Sequence, residues 1–372
     1  MKEKSSSDIS VKLRILYLVP ELFGPPGGIA RYCRTICRAL TALSCQVTVV
    51  ALLDEDSAAE EASITFPAMY YRPCAGKRNL FLQRSVMQLR RRPDFILVGH
   101  PNLAPLGQVL AKVSGAKMIS FIYGIDAWEP LSQPRRRALS AADCIVSISK
   151  FTAARAGTVN GLPMSKIRFL PPCRDTPMPD ADPVIRGSSS LSLLTVARMS
   201  LSEQYKGHDT VIRAMPKLLQ EFPDLKYNVI GGGDGRPVLE TLAMEQGVGH
   251  SVIFRGIIGD DELMRYYHES TIFVMPSRFE GFGIVFLDAM ACGKPVVAGN
   301  EDASVEVVRN GITGFTVAPQ NIEAVAEAIA VLLRDKDLRD RMGRKGAEVV
   351  ADEFGFDRFR HTLHQHLQAI QL

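Results

Sequence analysis

The sequence predicts an α/β protein of two halves, each built on a parallel sheet, facing one another across a cleft. Three observations predict it. Short β-branched runs alternate with longer amphipathic segments from end to end, the pattern of helices crossing between parallel strands. The alternation breaks at "PPCRDTPMPDADPVIRGSSS" (171–190), whose Pro, Asp and Ser content reads as a linker between halves of similar size. Several strands run into glycine-rich turns, and ligands of open parallel sheets bind beyond the carboxyl ends of the strands, so two such halves imply a shared cleft.

Ten strands are expected in order: "LRILYLV" (13–19), "QVTVVAL" (46–52), "DFILVG" (94–99), "KMISFIY" (117–123) and "CIVSIS" (144–149) in the first half, then "LSLLTVA" (191–197), "KYNVIG" (226–231), "SVIFRG" (251–256), "TIFVMP" (271–276) and "PVVAG" (295–299) in the second. Segments such as "GIARYCRTICRALTAL" and "GHDTVIRAMPKLLQEF" carry helical apolar periodicity between them, and residues 321–372 read as successive helices. The expected organisation is a frayed tail (1–10), a first domain to residue 175, a linker (176–190), a second domain (191–355) and a terminal helix (356–372) that packs back on the first.

Composition narrows the class. A chain of 372 residues, 46% hydrophobic and 23% charged with mean hydropathy +0.04, has enough apolar content for two cores and lacks the signature of disorder. No apolar run reaches the ~18 residues of a membrane span, and "MKEKSSSDIS" does not read as a signal peptide. Seven scattered cysteines without a CxxC pair suggest buried thiols in a reducing cytoplasm rather than disulfides or a thiolate zinc site. Charge is uneven: residues 1–185 hold 24 Lys and Arg against 15 Asp and Glu, net +9, and the remainder 20 against 25, net −5. A basic first half with "LRRR" (89–92) and "PRRR" (134–137) suits an anionic membrane surface or lipid substrate, with a merely solvated face as the alternative. Without interleaved aromatics or a recognition motif, nucleic acid is not an expected partner.

The residues that could carry chemistry follow the strands. Gly27 and Gly28 lead into a helix after the first strand, where free backbone N–H groups attract an anion such as phosphate. Arg198 directly follows the first strand of the second half and Lys206 sits at the mouth of the next helix; two cations there suit a diphosphate, or are two solvated surface cations. "VIGGGDGRPVLE" lacks the third glycine and the acidic ribose reader of a nicotinamide fingerprint, which leaves a tight loop around Gly233 that could touch a nucleotide. In "PSRFEGFGIVFLDAMACGKPVV" (276–297), Glu280 falls in a glycine-rich turn before a helix starting near Gly283, and Asp288 falls in its second turn. The amides of Phe282, Gly283 and Ile284 would point at an anion, with Glu280 beside it. An acid amid "IVFLDAMA" needs a partner.

Glu280, the glycine-rich turn and a second acid after seven intervening residues resemble the E-x7-E motif of retaining family-4 glycosyltransferases, which have the GT-B fold. "GGIARY", "YGIDAW", "VSISKFTA", "ARMSLSEQYKGHD", "GGGDG" and "NGITGFTV" agree in order, so the resemblance covers nearly the whole chain. It implies two Rossmann-like domains clamping a GDP- or UDP-linked sugar held mainly by the second, with no metal and no cofactor beyond this co-substrate. By resemblance Arg198 and Lys206 bind the donor diphosphate and assist its departure, Glu280 contacts donor-sugar hydroxyls, and the Phe282 to Ile284 amides help hold sugar or phosphate. Gly28 admits the first-half loop to the phosphates. Asp288 stands where the usual Glu binds ribose hydroxyls, and Tyr123 stands where the family commonly has a His near the reacting centre. Asp126 is a candidate to orient acceptor or Tyr123, and His100, at a strand end, to line the acceptor side. Trp128 covers the acceptor entrance or packs, with packing the default, and His361, His364 and His366 read as surface or packing residues.

The expected activity is transfer of a hexosyl unit, with a lean to mannosyl from GDP-mannose, onto a glycan or lipid-linked sugar by a cytoplasmic enzyme that is peripheral at the membrane. The alternatives are a non-catalytic nucleotide-sugar-binding or scaffold subunit, with Tyr123 and Asp288 as signs of decay, and a sugar-nucleotide epimerase or phosphorylase on the same architecture.

Overall fold

The computed structural model describes residues 12–24, 27–174 and 191–371; the expected tail and linker lie outside the described residues. Among the described residues thirteen strands form two sheets. The first holds β1 (Arg14–Val19), β2 (Gln46–Ala51), β3 (Tyr70–Pro73), β4 (Phe95–Val98), β5 (Lys117–Ile122), β6 (Cys144–Ser147) and β7 (Ile167–Phe169), in the spatial order β3-β2-β1-β4-β5-β6-β7. The second holds β8 (Ser192–Val196), β9 (Lys226–Ile230), β10 (Val252–Gly256), β11 (Ile272–Met275), β12 (Val296–Gly299) and β13 (Gly314–Val317), ordered β10-β9-β8-β11-β12-β13. Every pairing is parallel, with registers such as Ile15 opposite Val47 and Phe95, and Phe273 opposite Leu194 and Val296.

The interior strands are continuous apolar runs because helices cover both faces: all four residues of β4, β11 and β12 are buried. The ten expected strands are these interior ones together with β10. The three that apolar patterning did not predict, β3, β7 and β13, all lie at sheet edges. Each is three or four residues long and only partly buried, so none leaves the apolar run that marks a strand.

Strand order reverses at β1/β4 in the first sheet and at β8/β11 in the second. Crevices open at such switch points, beyond the carboxyl ends of the strands. The chain passes between the halves near residue 174, where Arg174 N donates to the Phe354 carbonyl at 2.8 Å. The terminal helix Phe356–Gln371 lies on the first-half helix Gly28–Ala42, with the Tyr32 and Phe359 rings edge to face at 5.7 Å, and His366 Nε2 is 2.9 Å from the Phe169 carbonyl oxygen. One apolar cluster therefore runs through both halves, from Tyr32 and Cys33 to Phe282, Phe286, Phe359 and Leu363.

Candidate active site

The candidate residues lie on the loops and first helical turns that follow the switch-point strands and their neighbours. Gly28 follows β1, His100 follows β4, Tyr123 and Asp126 follow β5, Arg198 and Lys206 follow β8, Gly233 follows β9, and Glu280 to Asp288 follow β11.

On the second half, Lys206 Nζ donates to Glu280 Oε2 at 2.6 Å, and both side chains are 16% exposed. Burial alone would pull the Lys206 ammonium down; the charge and hydrogen bond of Glu280 more than reverse this, so its pKa lies above the ordinary value. Glu280 is held from behind by the buried Asp302, which accepts its N–H at 2.7 Å and also accepts from Ser277 Oγ and Ser304 N. Burial raises the pKa of Asp302 despite these bonds. Arg198 is the open member of the set, 66% exposed and paired with Glu203. The charge of Arg198 reaches the first-half loop: burial and then Asp54 raise the pKa of Glu21, and Arg198 opposes them.

Gly233, with φ +147°, has no room for a side chain, since an added Cβ would lie 2.3 Å from the Met199 carbonyl oxygen. Met199 N bonds the Gly232 carbonyl, Gly235 N bonds the Met199 carbonyl, and Asp234 accepts from Leu201 N. The glycine loop therefore clasps the segment that carries Arg198. Helix Ile284–Ala291 starts after Gly283, and its first amides have no intrahelical acceptor.

The two halves meet directly at this place. An added Cβ on Gly281 would sit 1.9 Å from the Tyr123 carbonyl oxygen, so the Glu280 loop packs on the loop after β5 because Gly281 has no side chain. Trp128, 2% exposed, packs its ring at 5.4 Å from Phe151 and 6.3 Å from Phe279, and the Arg155 guanidinium lies 5.2 Å over it. Its indole Nε1 is buried without a partner among the described residues. Glu306 of the second half accepts the amides of Lys150 and Phe151 at 2.9 and 2.6 Å, at the start of helix Lys150–Asn160 of the first. Arg31, on the first-half helix, forks onto Asp288 with Nη1 to Oδ2 at 2.6 Å and Nη2 to Oδ1 at 2.9 Å.

Tyr123 requires a correction. Its hydroxyl does not face the cleft; it lies 3.7 Å from Cys33 Sγ in the first-half core, with Tyr32 edge-on at 5.5 Å. Strand pleating is the reason: Ile119, Phe121 and Tyr123 share the face of β5 that packs on helix Gly28–Ala42, while Met118 and Ile122 take the other. Burial first, then the neighbouring Cys33 and Tyr32, hold its phenol well above the usual range. Asp126 is committed to the same loop, accepting the N–H of Tyr123 at 3.0 Å and of Gly124 at 2.6 Å, and burial lifts its pKa to about 6. His100 Nδ1 accepts from Asn102 N at 3.1 Å and so caps its own turn; burial and then Arg135 lower its pKa to about 4.

Sequence reasoning missed Arg31, Asp302 and Glu306. Arg31 stands in "GGIARY", three residues beyond Gly28 and hence on the same helix face, which was a usable signal. Nothing local marks the other two. Among the described residues no group of three or more His, Cys, Asp or Glu is arranged to hold a metal ion, and no helix is long and apolar enough to cross a membrane.

Comparisons with known proteins agree with this architecture. Residues 26–177 match the family described as Glycosyltransferase Family 4, and residues 190–349 the one described as Glycosyl transferases group 1. The GDP-mannose-dependent alpha-(1-6)-phosphatidylinositol monomannoside mannosyltransferase of Mycobacterium tuberculosis is 31% identical over 280 residues, 71% of this chain and 70% of that one. Its Mycolicibacterium smegmatis counterpart is 32% identical over 268 residues, covering 68% and 70%. Among solved structures, Anabaena HepE in complex with UDP and glucose superposes with a TM-score of 0.78 at 17% identity, over 96% of this chain and 100% of that one. Sucrose-phosphate synthase from Thermosynechococcus elongatus does so with 0.77 at 22% identity, over 96% and 99%.

Proposed function

This chain belongs to the glycosyltransferases of the GT-B fold, which move a sugar from a nucleotide-sugar donor to an acceptor, and from that premise we propose a retaining hexosyltransferase that uses GDP-mannose and a lipid-linked or glycan acceptor. The observation that carries the reading is the Lys206–Glu280 pair at the carboxyl ends of two switch-point strands, with Arg198 open beside it. Arg198 and Lys206 take the donor diphosphate, the Phe282, Gly283 and Ile284 amides add donors for the same anion, and Gly28 leaves room for it on the first-half side. Glu280 accepts from donor-sugar hydroxyls, and Asp288 from the ribose. Cations and amides aimed at the departing diphosphate stabilise the charge that develops there. The lean to mannose and to a phosphoinositide-like acceptor follows the printed names of the mycobacterial relatives.

A cytoplasmic location at an anionic membrane fits one surface. Helix Arg78–Met87 exposes Leu82, Val86 and Met87, followed by the exposed Arg90, Arg91 and Arg92. Sedimentation with anionic vesicles at low salt, absent with neutral vesicles, is the expected result; no sedimentation would remove the membrane part of the reading.

The donor is tested by thermal shift of the full chain against GDP, UDP, ADP and their sugar conjugates. A ligand of the folded state raises the midpoint by mass action. GDP and GDP-mannose should stand out, and the shift should vanish in Arg198→Ala. No shift with any nucleotide would favour a scaffold role. The anomeric configuration of the first-formed product, read by NMR, tests retention.

A further inference from the structure

We propose that Arg31 is a positioning residue for donor recognition, and that a ribose hydroxyl is read by an arginine–carboxylate unit assembled from both halves. The inference rests on the reading of Asp288 as the ribose acceptor. Its geometry is a two-point contact between two helix starts. Gly28 and Arg31 share one face of helix Gly28–Ala42, and Ile284 and Asp288 share one face of helix Ile284–Ala291. A Cβ added to Gly28 would lie 3.9 Å from Ile284 Cδ1, which puts the two helix starts against each other, and one turn further along Arg31 forks onto Asp288.

Asp288 is short and 10% exposed, so its carboxylate stays close to its own helix. The plane of that carboxylate is set by the fork, since two parallel N–H···O bonds fix both position and orientation. A carboxylate oxygen has two lone-pair sites. The fork takes the inward-facing site on each oxygen and leaves the outward-facing one on each; these point to opposite sides, so a ribose hydroxyl can donate to one of them while the fork stays in place. Arg31 thus orients the carboxylate and leaves an acceptor site on it open. Because Arg31 belongs to the first half, ribose recognition is complete only when the halves are together as they are here.

The test is calorimetric binding of GDP, and of UDP in parallel, with the 2′-deoxy and 3′-deoxy forms of each, to the full chain and to Arg31→Met, Arg31→Lys, Asp288→Ala and the Arg31→Met/Asp288→Ala double variant. The wild type should prefer the ribonucleotide by about 10-fold or more, because a lost hydroxyl leaves a buried acceptor unpaired. Asp288→Ala should bring the ratio close to one. Arg31→Met should lower it several-fold, the double variant should fall no further than Asp288→Ala, and Arg31→Lys should recover part of it. If Arg31→Met keeps the wild-type ratio while Asp288→Ala collapses it, Arg31 serves only packing or closure and the inference is overturned. If Asp288→Ala also keeps the ratio, or neither nucleotide binds the wild type, the ribose reading itself fails and the inference falls with it.

Discussion

Glu280 and Asp288 are eight residues apart, similarly buried and each engaged by one cation, yet their cations come from different places. Lys206, which holds Glu280, belongs to the same half; Arg31, which holds Asp288, belongs to the other. Glu280 is further fixed by Asp302 through its own backbone. Its position is therefore a property of one folded half and should survive separation of the two. The surroundings of Asp288 are a property of the closed pair. One motif thus carries a carboxylate that is preorganised by folding and another whose environment is completed by closure, and the two respond differently to perturbation.

The largest expected effect is on Glu280's side. Lys206→Ala removes the cation that the proposed function assigns to the donor diphosphate and leaves Glu280 without its partner, and Glu280→Gln removes the charged acceptor from the loop. Each should lower kcat by about 10²- to 10³-fold, the scale of losing one preorganised electrostatic group, measured by release of nucleoside diphosphate. A loss of less than about 3-fold in both would take the pair out of the chemistry.

The contrast is sharpened by Trp128, the one tryptophan of the chain, which lies in the seam between the halves. Its fluorescence reports closure. Gly281→Ala drives a Cβ toward the Tyr123 carbonyl and should raise acrylamide quenching about two-fold or more. Arg31→Met, which cuts the tie across the cleft, should raise it less, and Lys206→Met, which cuts the tie within one half, should leave it at the wild-type level. Equal quenching in the Arg31 and Lys206 variants would erase the distinction between a pair within one half and a pair across the cleft.

How much of this was legible in the sequence follows from whether a signal is local. The interior strands were readable because a strand covered on both faces must be apolar throughout. β3, β7 and β13 were not, because each is only three or four residues long and partly buried at a sheet edge, too short to leave an apolar run; β10, an edge strand of five residues, was readable. In the site, residues on a strand end or helix start announced themselves: Arg198, Lys206, Glu280 and Asp288 all stand where spacing puts them. The partners did not. That Asp288 needs a partner follows from its apolar neighbours, but that the partner is Arg31, 257 positions away, comes from how the halves pack. Tyr123 shows the opposite failure. Its motif pointed to the cleft, and the pleat of β5, itself readable from "KMISFIY", turned its side chain into the core.

The smallest expected effect is a pH dependence on the Glu280 side. His208 follows Lys206 by two residues, is 4% exposed, and has Nε2 without a partner among the described residues. Burial first, and then the Lys206 charge, lower its pKa from 6.5 to about 4. Between those values the unfolded chain binds a proton that the folded chain does not, so the stability contributed above pH 6.5 is lost as pH falls toward 4. His208→Leu removes this titration. The thermal midpoint of the wild type should therefore fall by a few degrees relative to His208→Leu between pH 7 and pH 4.5. His100, also lowered to about 4, remains in both proteins and cancels from the difference. A constant difference across that range would mean that the imidazole beside Lys206 exchanges protons as freely in the fold as outside it, and the second half would then be less closed around Lys206 than its pairing with Glu280 implies.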